Sequence, residues 1–349
     1  MPRFFAVVIL ALSLLPGAAL AAEAPLRLHA WVDYFPAWLH EAFTKETGIP
    51  IVQSFFADNK SLHKSLAEQK DIVQYDVVTP SAEMAQQLIA EGLLLGLDRG
   101  KVPRLGDVDP WFADAGYDPG GIYSAALFWG GLGIVIDKRA MAPELAGRIK
   151  GYADLWLPEL RGRLLLPNDF RSLMSVMLLT LGHGVNDFAH LPEAMQKLES
   201  LLPSVRLFDT VDQLESMSSL STGVDAGVVW AREGYTDAEH AEMFTFIFAR
   251  EGSPVWVDTL AVPANAANPE AAFAFINFVL RPDILARLGE SSGYAVSVAK
   301  ARALLPEEMR DNPLLYPPQS LREHFEPELM LPAEADELMR QWNRLRDTR

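Results

Sequence analysis

Two tripeptides of identical composition stand out in the 349-residue chain: Trp31-Val32-Asp33 and Trp256-Val257-Asp258. Each falls at or near the end of a stretch with strand-like alternation, and the strand period of two puts Trp and Asp of each copy on one face. An indole face beside a carboxylate suits an alkylammonium. The ring attracts the methylene-flanked nitrogen, and the carboxylate accepts charge-assisted hydrogen bonds from its N–H groups. Trp230 closes a third strand-like run, Ala226–Trp230, in the same manner. The competing account makes these tryptophans core residues, since Trp is mostly buried wherever it lies, and makes the aspartates turn residues. Two copies in distant parts of the chain favour a site.

Other chemistry is hard to find. The sequence has no H-E-x-x-H, Walker or EF-hand pattern, so no catalytic residues emerge and no enzymatic activity is expected. With no cysteines, disulfides, thiolate metal sites and a lipid-anchored N-terminal Cys are excluded. Of the seven histidines, His183 and His190 are the closest pair, and no acidic ligand stands at a metal-binding spacing, so no metal is expected. Gly130-Gly131-Leu132-Gly133 lacks the full dinucleotide pattern and reads as a strand running close to other backbone, so no cofactor is expected either.

The elements that must position these residues come from a chain that is half apolar, with 22% charged residues, long enough for two domains with sizeable cores. Lys and Arg number 30 against 46 Asp and Glu, for a net charge of −16. That balance argues against nucleic acid, which needs a basic face, and favours cationic partners at long range. Residues 1–21 carry Arg3, a short apolar run, Pro16-Gly17 and Ala19-Leu20-Ala21, the order of a secretory signal cleaved after Ala21. The run is too short to span a bilayer comfortably, and a soluble exported protein is expected.

Hydrophobic periodicity predicts strands at Leu26–Trp31, Ile49–Phe56 and Tyr75–Thr79, alternating with helices after Pro36, over Leu62–Glu68 and from about Ala82 to Glu91. This β-α-β-α-β-α order signals an open parallel sheet. After a Gly- and Pro-rich stretch, 107–121, comes a strand at Ile134–Asp137, and the pattern restarts. Strands are expected at Arg163–Leu166, Val205–Phe208, Ala226–Trp230, Phe244–Phe248 and Val255–Val262. Helices are expected at Ser172–Leu181, Ala189–Leu202 and Phe273–Leu280. Two α/β lobes are the economical reading.

Trp31-Val32-Asp33-Tyr34 followed by Phe43-Thr44-Lys45-Glu46-Thr47-Gly48-Ile49 resembles the periplasmic polyamine-binding proteins of spermidine/putrescine ABC transporters. Further matches follow in order: Tyr75-Asp76-Val77-Val78 with Pro80-Ser81, Tyr152-Ala153-Asp154-Leu155-Trp156, Gly162-Arg163-Leu164-Leu165-Leu166, Trp256 to Ala266, Leu280-Arg281-Pro282-Asp283 and Gly293-Tyr294. The resemblance implies a two-lobed α/β binding protein with two chain crossovers at a hinge and the ligand clamped between the lobes. The lobes would be 22–135 plus 259–303 and 136–258 plus 304–349. Carried over residue by residue, Trp31, Asp33, Tyr34 and Ser81 line the N-terminal lobe, and Asp169, Trp230, Trp256, Asp258 and Tyr294 complete the cleft.

The chain departs from the family at two acids. Glu83 stands where spermidine binders place a Tyr, and Ser172 where they place a Glu; a C-terminal Gln of the family falls near Phe325–Glu328, at Glu326 or Glu328. Plainer roles compete here: Ser81 and Asp169 are well placed as helix N-caps, and Glu83 as a first-turn acid. The expected function is capture of a linear polyamine such as spermidine, norspermidine or putrescine, by a monomer that delivers it to an inner-membrane permease. The alternatives are a sensor docking on a membrane receptor and, from another class, a periplasmic hydrolase on a similar scaffold.

Overall fold

This computed structural model describes residues 24–68, 74–113, 115–209, 217, 222–234 and 242–348. The expected signal, 1–21, and most of the polar stretch 216–222 lie outside them. Alternation in Leu26–Ala30 makes β1, which pairs in parallel with β2 (Ile51–Phe55) and β3 (Val77–Val78). Between them run α1 (Ala37–Thr47) and α2 (Asn59–Ala67), and α3 (Ala82–Ala90) follows β3. Gly48 ends α1 at φ 78°, a left-handed conformation that costs glycine nothing. A two-residue strand, β4 (Leu94–Leu95), closes this part.

β5 runs from Ser124 to Asp137: the strand expected at Ile134–Asp137 and the Gly-rich strand before it form one element, which Ser124–Trp129 extends further. Its first half pairs antiparallel with β10 (Ser253–Pro263), and its second half with β8 (Ala226–Trp230) and β9 (Phe244–Ile247). One strand thus serves both sheets. The glycines permit this packing. A Cβ on Gly130 would lie 2.8 Å from the Trp256 indole, and one on Gly133 would lie 2.6 Å from the Ile247 carbonyl. Gly130 and Trp256 are register partners, so the missing side chain gives the indole its seat.

The second sheet is completed by β6 (Leu164–Pro167), parallel to both β7 (Val205–Asp209) and β8. α4 (Phe170–Thr180) and α5 (Leu191–Leu201) pack on it. The main strand order is β2-β1-β3-β10-β5-β8-β6-β7. α6 (Pro269–Val279), α7 (Pro282–Ser292) and β11 (Ala295–Val296) return to the first lobe, then β12 (Phe325–Pro327) pairs with β10, and α8 (Ala335–Asp347) closes the chain.

Two large cores result. One gathers Leu28, Phe43, Phe128, Leu260 and Phe275; the other gathers Ile134, Leu164, Met174, Leu198 and Trp342. The chain passes between them along β5, again from β9 into β10, and returns after β12. Leu305, Met309, Leu315, Tyr316 and Phe325 pack in the first core, although the resemblance assigns 304–349 to the second lobe. Val255 and Val257 differ in the same way, because β10 pairs with the first half of β5 from its first residues.

Candidate functional site

A cavity of about 340 Å³ opens between the two cores, lined by Trp31, Tyr34, Asn59, Ser81, Glu83, Asn168, Asp169, Arg171, Ser172, Trp230, Arg232, Trp256, Asp258, Tyr294 and Glu328. β10 carries the second tripeptide through as unbroken strand, so its period of two directs Trp256 and Asp258 to the same side while Val257 fills the first core. The first tripeptide behaves differently. β1 ends at Ala30, the chain turns, and Asp33 sits exposed at φ 64°. Trp31 reaches the cavity and Asp33 does not, so the expectation that Asp33 lines the cleft is corrected. The strand rule had no strand left to act on.

Asp258 is buried, and the Tyr34 hydroxyl donates to its Oδ2. Burial pushes its carboxyl up to about 7, against the hydrogen bond from Tyr34, which favours the charged form. The same burial and the adjacent carboxylate hold the Tyr34 phenol well above its ordinary range. Around Asp258 stand aromatic rings. Tyr294 meets Trp256 edge-on at 5.3 Å and Tyr34 at 5.6 Å, and Trp31 tilts against Phe56 at 4.5 Å. The indole N–H of Trp31 is buried and, like the Tyr34 hydroxyl, favours the charged form of Asp258. The Arg232 guanidinium lies 4.6 Å from the centre of the Tyr294 ring and donates to the Ser292 carbonyl.

Three further carboxylates face the cavity from different elements. Glu83 is in the first turn of α3, where Asn59 Nδ2 donates to Ser81 Oγ at 2.7 Å and to Glu83 Oε1 at 3.4 Å. Asp169 caps α4 by accepting from the Ser172 N–H at 2.7 Å. Glu328 follows β12 and accepts from the Ser175 hydroxyl at 2.7 Å. Burial, then the charges of Glu328 and Asp169, push the Glu83 carboxyl up to about 8, opposed by the Arg171 guanidinium. Burial likewise raises Glu328 to about 7, with Arg171 opposing.

Capping and facing the cavity therefore coexist at Ser81 and Asp169, the two competing roles for these residues. The choice between the C-terminal acids also resolves geometrically: Glu328 lines the cavity, while Glu326 turns away to accept from the Val185 N–H at 3.1 Å. Four lining residues had no place in the sequence reading: Asn59, Asn168, Arg171 and Arg232. For Arg171 a signal existed. It is the one charged residue in α4, a helix buried from Phe170 to Leu179, and all three guanidinium nitrogens are held, by the Leu329 carbonyl, Ser175, the Val185 carbonyl and Asn186. Among the described residues the cavity thus has four carboxylates and two guanidiniums, an acidic surplus walled by indoles.

Residues 38–317 match the model of the bacterial extracellular solute-binding protein family. The chain is 33% identical to the spermidine/putrescine-binding periplasmic protein of Escherichia coli strain K12, over 84% of this chain and 83% of that protein. It is 28% identical to the putrescine-binding periplasmic protein of the same organism, over 88% and 86%. Among solved structures, the substrate-binding protein of a spermidine/putrescine ABC transporter from Streptococcus pneumoniae superposes with a TM-score of 0.81 at 28% identity, covering 92% of this chain and 98% of that one. These neighbours share the two-lobed α/β architecture.

Proposed function

The chain belongs to the bacterial extracellular solute-binding protein family, and from that premise we propose that it captures a linear polyamine between its lobes and delivers it to an ABC permease. The observation that carries this reading is Asp258, a carboxylate buried beneath Trp31, Tyr34, Trp256 and Tyr294 that forms no ion pair with a Lys or Arg among the described residues. A buried carboxylate in that setting is stable as an anion only when a cation pairs with it. An alkylammonium supplies the charge through its N–H groups, and its methylenes lie against the rings.

Glu83, Asp169 and Glu328 supply a second group of counter-charges, as two or three separated ammonium groups on one alkyl chain require. Trp230, Trp256 and Trp31 flank the methylenes, and Ser81, Ser172 and Tyr294 complete the wall. The lobes follow the two cores, with β5, the β9–β10 segment and the chain after β12 passing between them. The protein does no chemistry on its ligand. It works in the periplasm as a monomer, exported by a cleaved signal over residues 1–21; among the described residues no helix is long and apolar enough to cross a membrane.

The test is a thermal-shift screen of the chain without residues 1–21 against polyamines, amino acids, sugars and anions, followed by calorimetry. A specific ligand at 100 times its Kd stabilises the fold by about 2.7 kcal/mol. Spermidine, norspermidine or putrescine is expected to raise the melting temperature. A shift with sugars or anions and none with any polyamine would overturn the reading.

A further inference from the structure

In the second lobe, the loop between α4 and α5 gathers residues that the sequence shows only as scattered. The His183 and His190 rings stack at 3.8 Å. Asp187 sits between them, its Oδ2 3.2 Å from His183 Nδ1 and 3.8 Å from His190 Nε2. Glu193, in the first turn of α5, places Oε2 3.6 Å from His190 Nδ1. One donor atom each from His183, His190 and Glu193 lies within 4.8 Å of the other two. We propose that His183, His190 and Glu193 bind a divalent transition-metal ion of the zinc class, with Asp187 orienting both imidazoles.

The division of roles follows from which nitrogen each ring has to spare. Asp187 lies nearest His183 Nδ1 and His190 Nε2, so His183 Nε2 and His190 Nδ1 are the nitrogens to spare for the ion. A carboxylate on the second nitrogen is the usual support of a metal-bound histidine. Imidazole with a single carboxylate suits zinc, nickel or copper better than calcium or magnesium, which prefer all-oxygen shells. Tetrahedral zinc with bonds of about 2.0–2.1 Å sets its ligands about 3.3 Å apart, so no pair of donors has to draw together by more than about 1.5 Å. The side chains can supply that movement, because Glu193 is exposed and both histidines are partly so. Each lone pair must also aim at the ion, which two nearly parallel rings cannot do. Binding therefore turns the rings out of their stack. The loop it would fix is the one whose Val185 carbonyl and Asn186 side chain hold Arg171 at the interlobe cavity.

Zn²⁺ titrated calorimetrically into the full exported chain, with and without saturating spermidine, tests this. One ion per chain is expected in both conditions. His183→Ala and His190→Ala should each weaken it at least tenfold, and the double substitution should abolish it. If the double variant does not fold, the single variants and Glu193→Gln decide. Co²⁺ should give the visible absorption of a tetrahedral site in the wild type and not in His190→Ala. Absence of Zn²⁺ binding, binding unchanged in both histidine variants, or binding abolished by spermidine, which would place the ion in the interlobe cavity, would each overturn the proposal.

Discussion

Asp258 meets the cavity alone, whereas Glu83, Asp169 and Glu328 meet it together. The lone acid is raised by burial, and none of the other three carboxylates contributes to its shift; its polar company is Tyr34 and the Trp31 N–H. In the group, Glu83 is raised by the charges of Glu328 and Asp169 as well as by burial. The supports differ too. Asp258 rides on the central strand β10, paired on both sides, while the group unites the first turn of α3 with the cap of α4 and the segment after β12. Like charges carried by two lobes resist being brought together until a cation lies between them. On the proposed reading, the group makes closure depend on ligand, and Asp258 fixes where one ammonium sits. Redundancy separates them: losing one acid of three leaves two, and losing Asp258 leaves none.

Asp258→Asn gives the largest expected effect. The amide keeps the shape and removes the carboxylate charge beneath the aromatic wall. Removing one partner of a buried charge pair costs about 3–5 kcal/mol, so polyamine Kd should rise more than about a hundredfold while the melting temperature holds. Calorimetric titration checks both, and a change under threefold would take Asp258 out of the site. Trp256→Ala comes next, losing a desolvated cation–π contact of about 2 kcal/mol, or about thirtyfold in Kd. Tryptophan fluorescence of the wild type should respond to ligand, and normal binding by this variant would return the indole to a packing role.

Glu83→Gln should cost less, about tenfold, because Asp169 and Glu328 remain, and it should alter the rank order of norspermidine, spermidine and putrescine in competition. A loss equal to that of Asp258→Asn would erase the contrast between the two groups. An unchanged affinity and order would leave Glu83 as a helix acid only.

The smallest effect is on stability without ligand. Glu83 rises from an ordinary 4.5 to about 8 in the fold, so the folded form holds the extra proton between those values. Its contribution is therefore fully present below 4.5 and is lost as pH rises through about 8, in the same direction as Asp258 and Glu328 through about 7. The unliganded melting temperature should fall as pH rises from 5 to 8.5. Glu83→Gln should flatten that slope, and scanning calorimetry at constant ionic strength reads both.

Much of this was legible in the sequence, and the failures have physical causes. Ala226–Trp230 matches β8 residue for residue, since a continuous apolar run between turn residues has few other solutions. β10 was readable for the same reason and carried Trp256 and Asp258 with it. The start of β5, Ser124–Trp129, was not read, because it follows a Gly- and Pro-rich stretch and a short apolar run there has no periodicity to separate strand from helix. Asp33 failed because one residue of strand length decides which way a side chain points. α8 shows Leu338, Trp342 and Leu345 at helical spacing, a signal that was present and unused. Arg171 and Arg232 belong to a different class of miss. A lone arginine in a sequence reads as surface, and only the assembled lobes show that two guanidiniums temper four carboxylates.

The central claim is that ammonium groups pair with carboxylates which, without ligand, hold their protons near neutrality. Titration of spermidine at pH 7 in buffers of different ionisation enthalpy tests it directly. Pairing favours the charged carboxylates, so binding must release protons, and the observed enthalpy should vary linearly with buffer ionisation enthalpy in the sense of release. The release should disappear by pH 9, where Glu83, Asp258 and Glu328 are already ionised. Binding with no buffer dependence at pH 7, or proton uptake, would contradict the account.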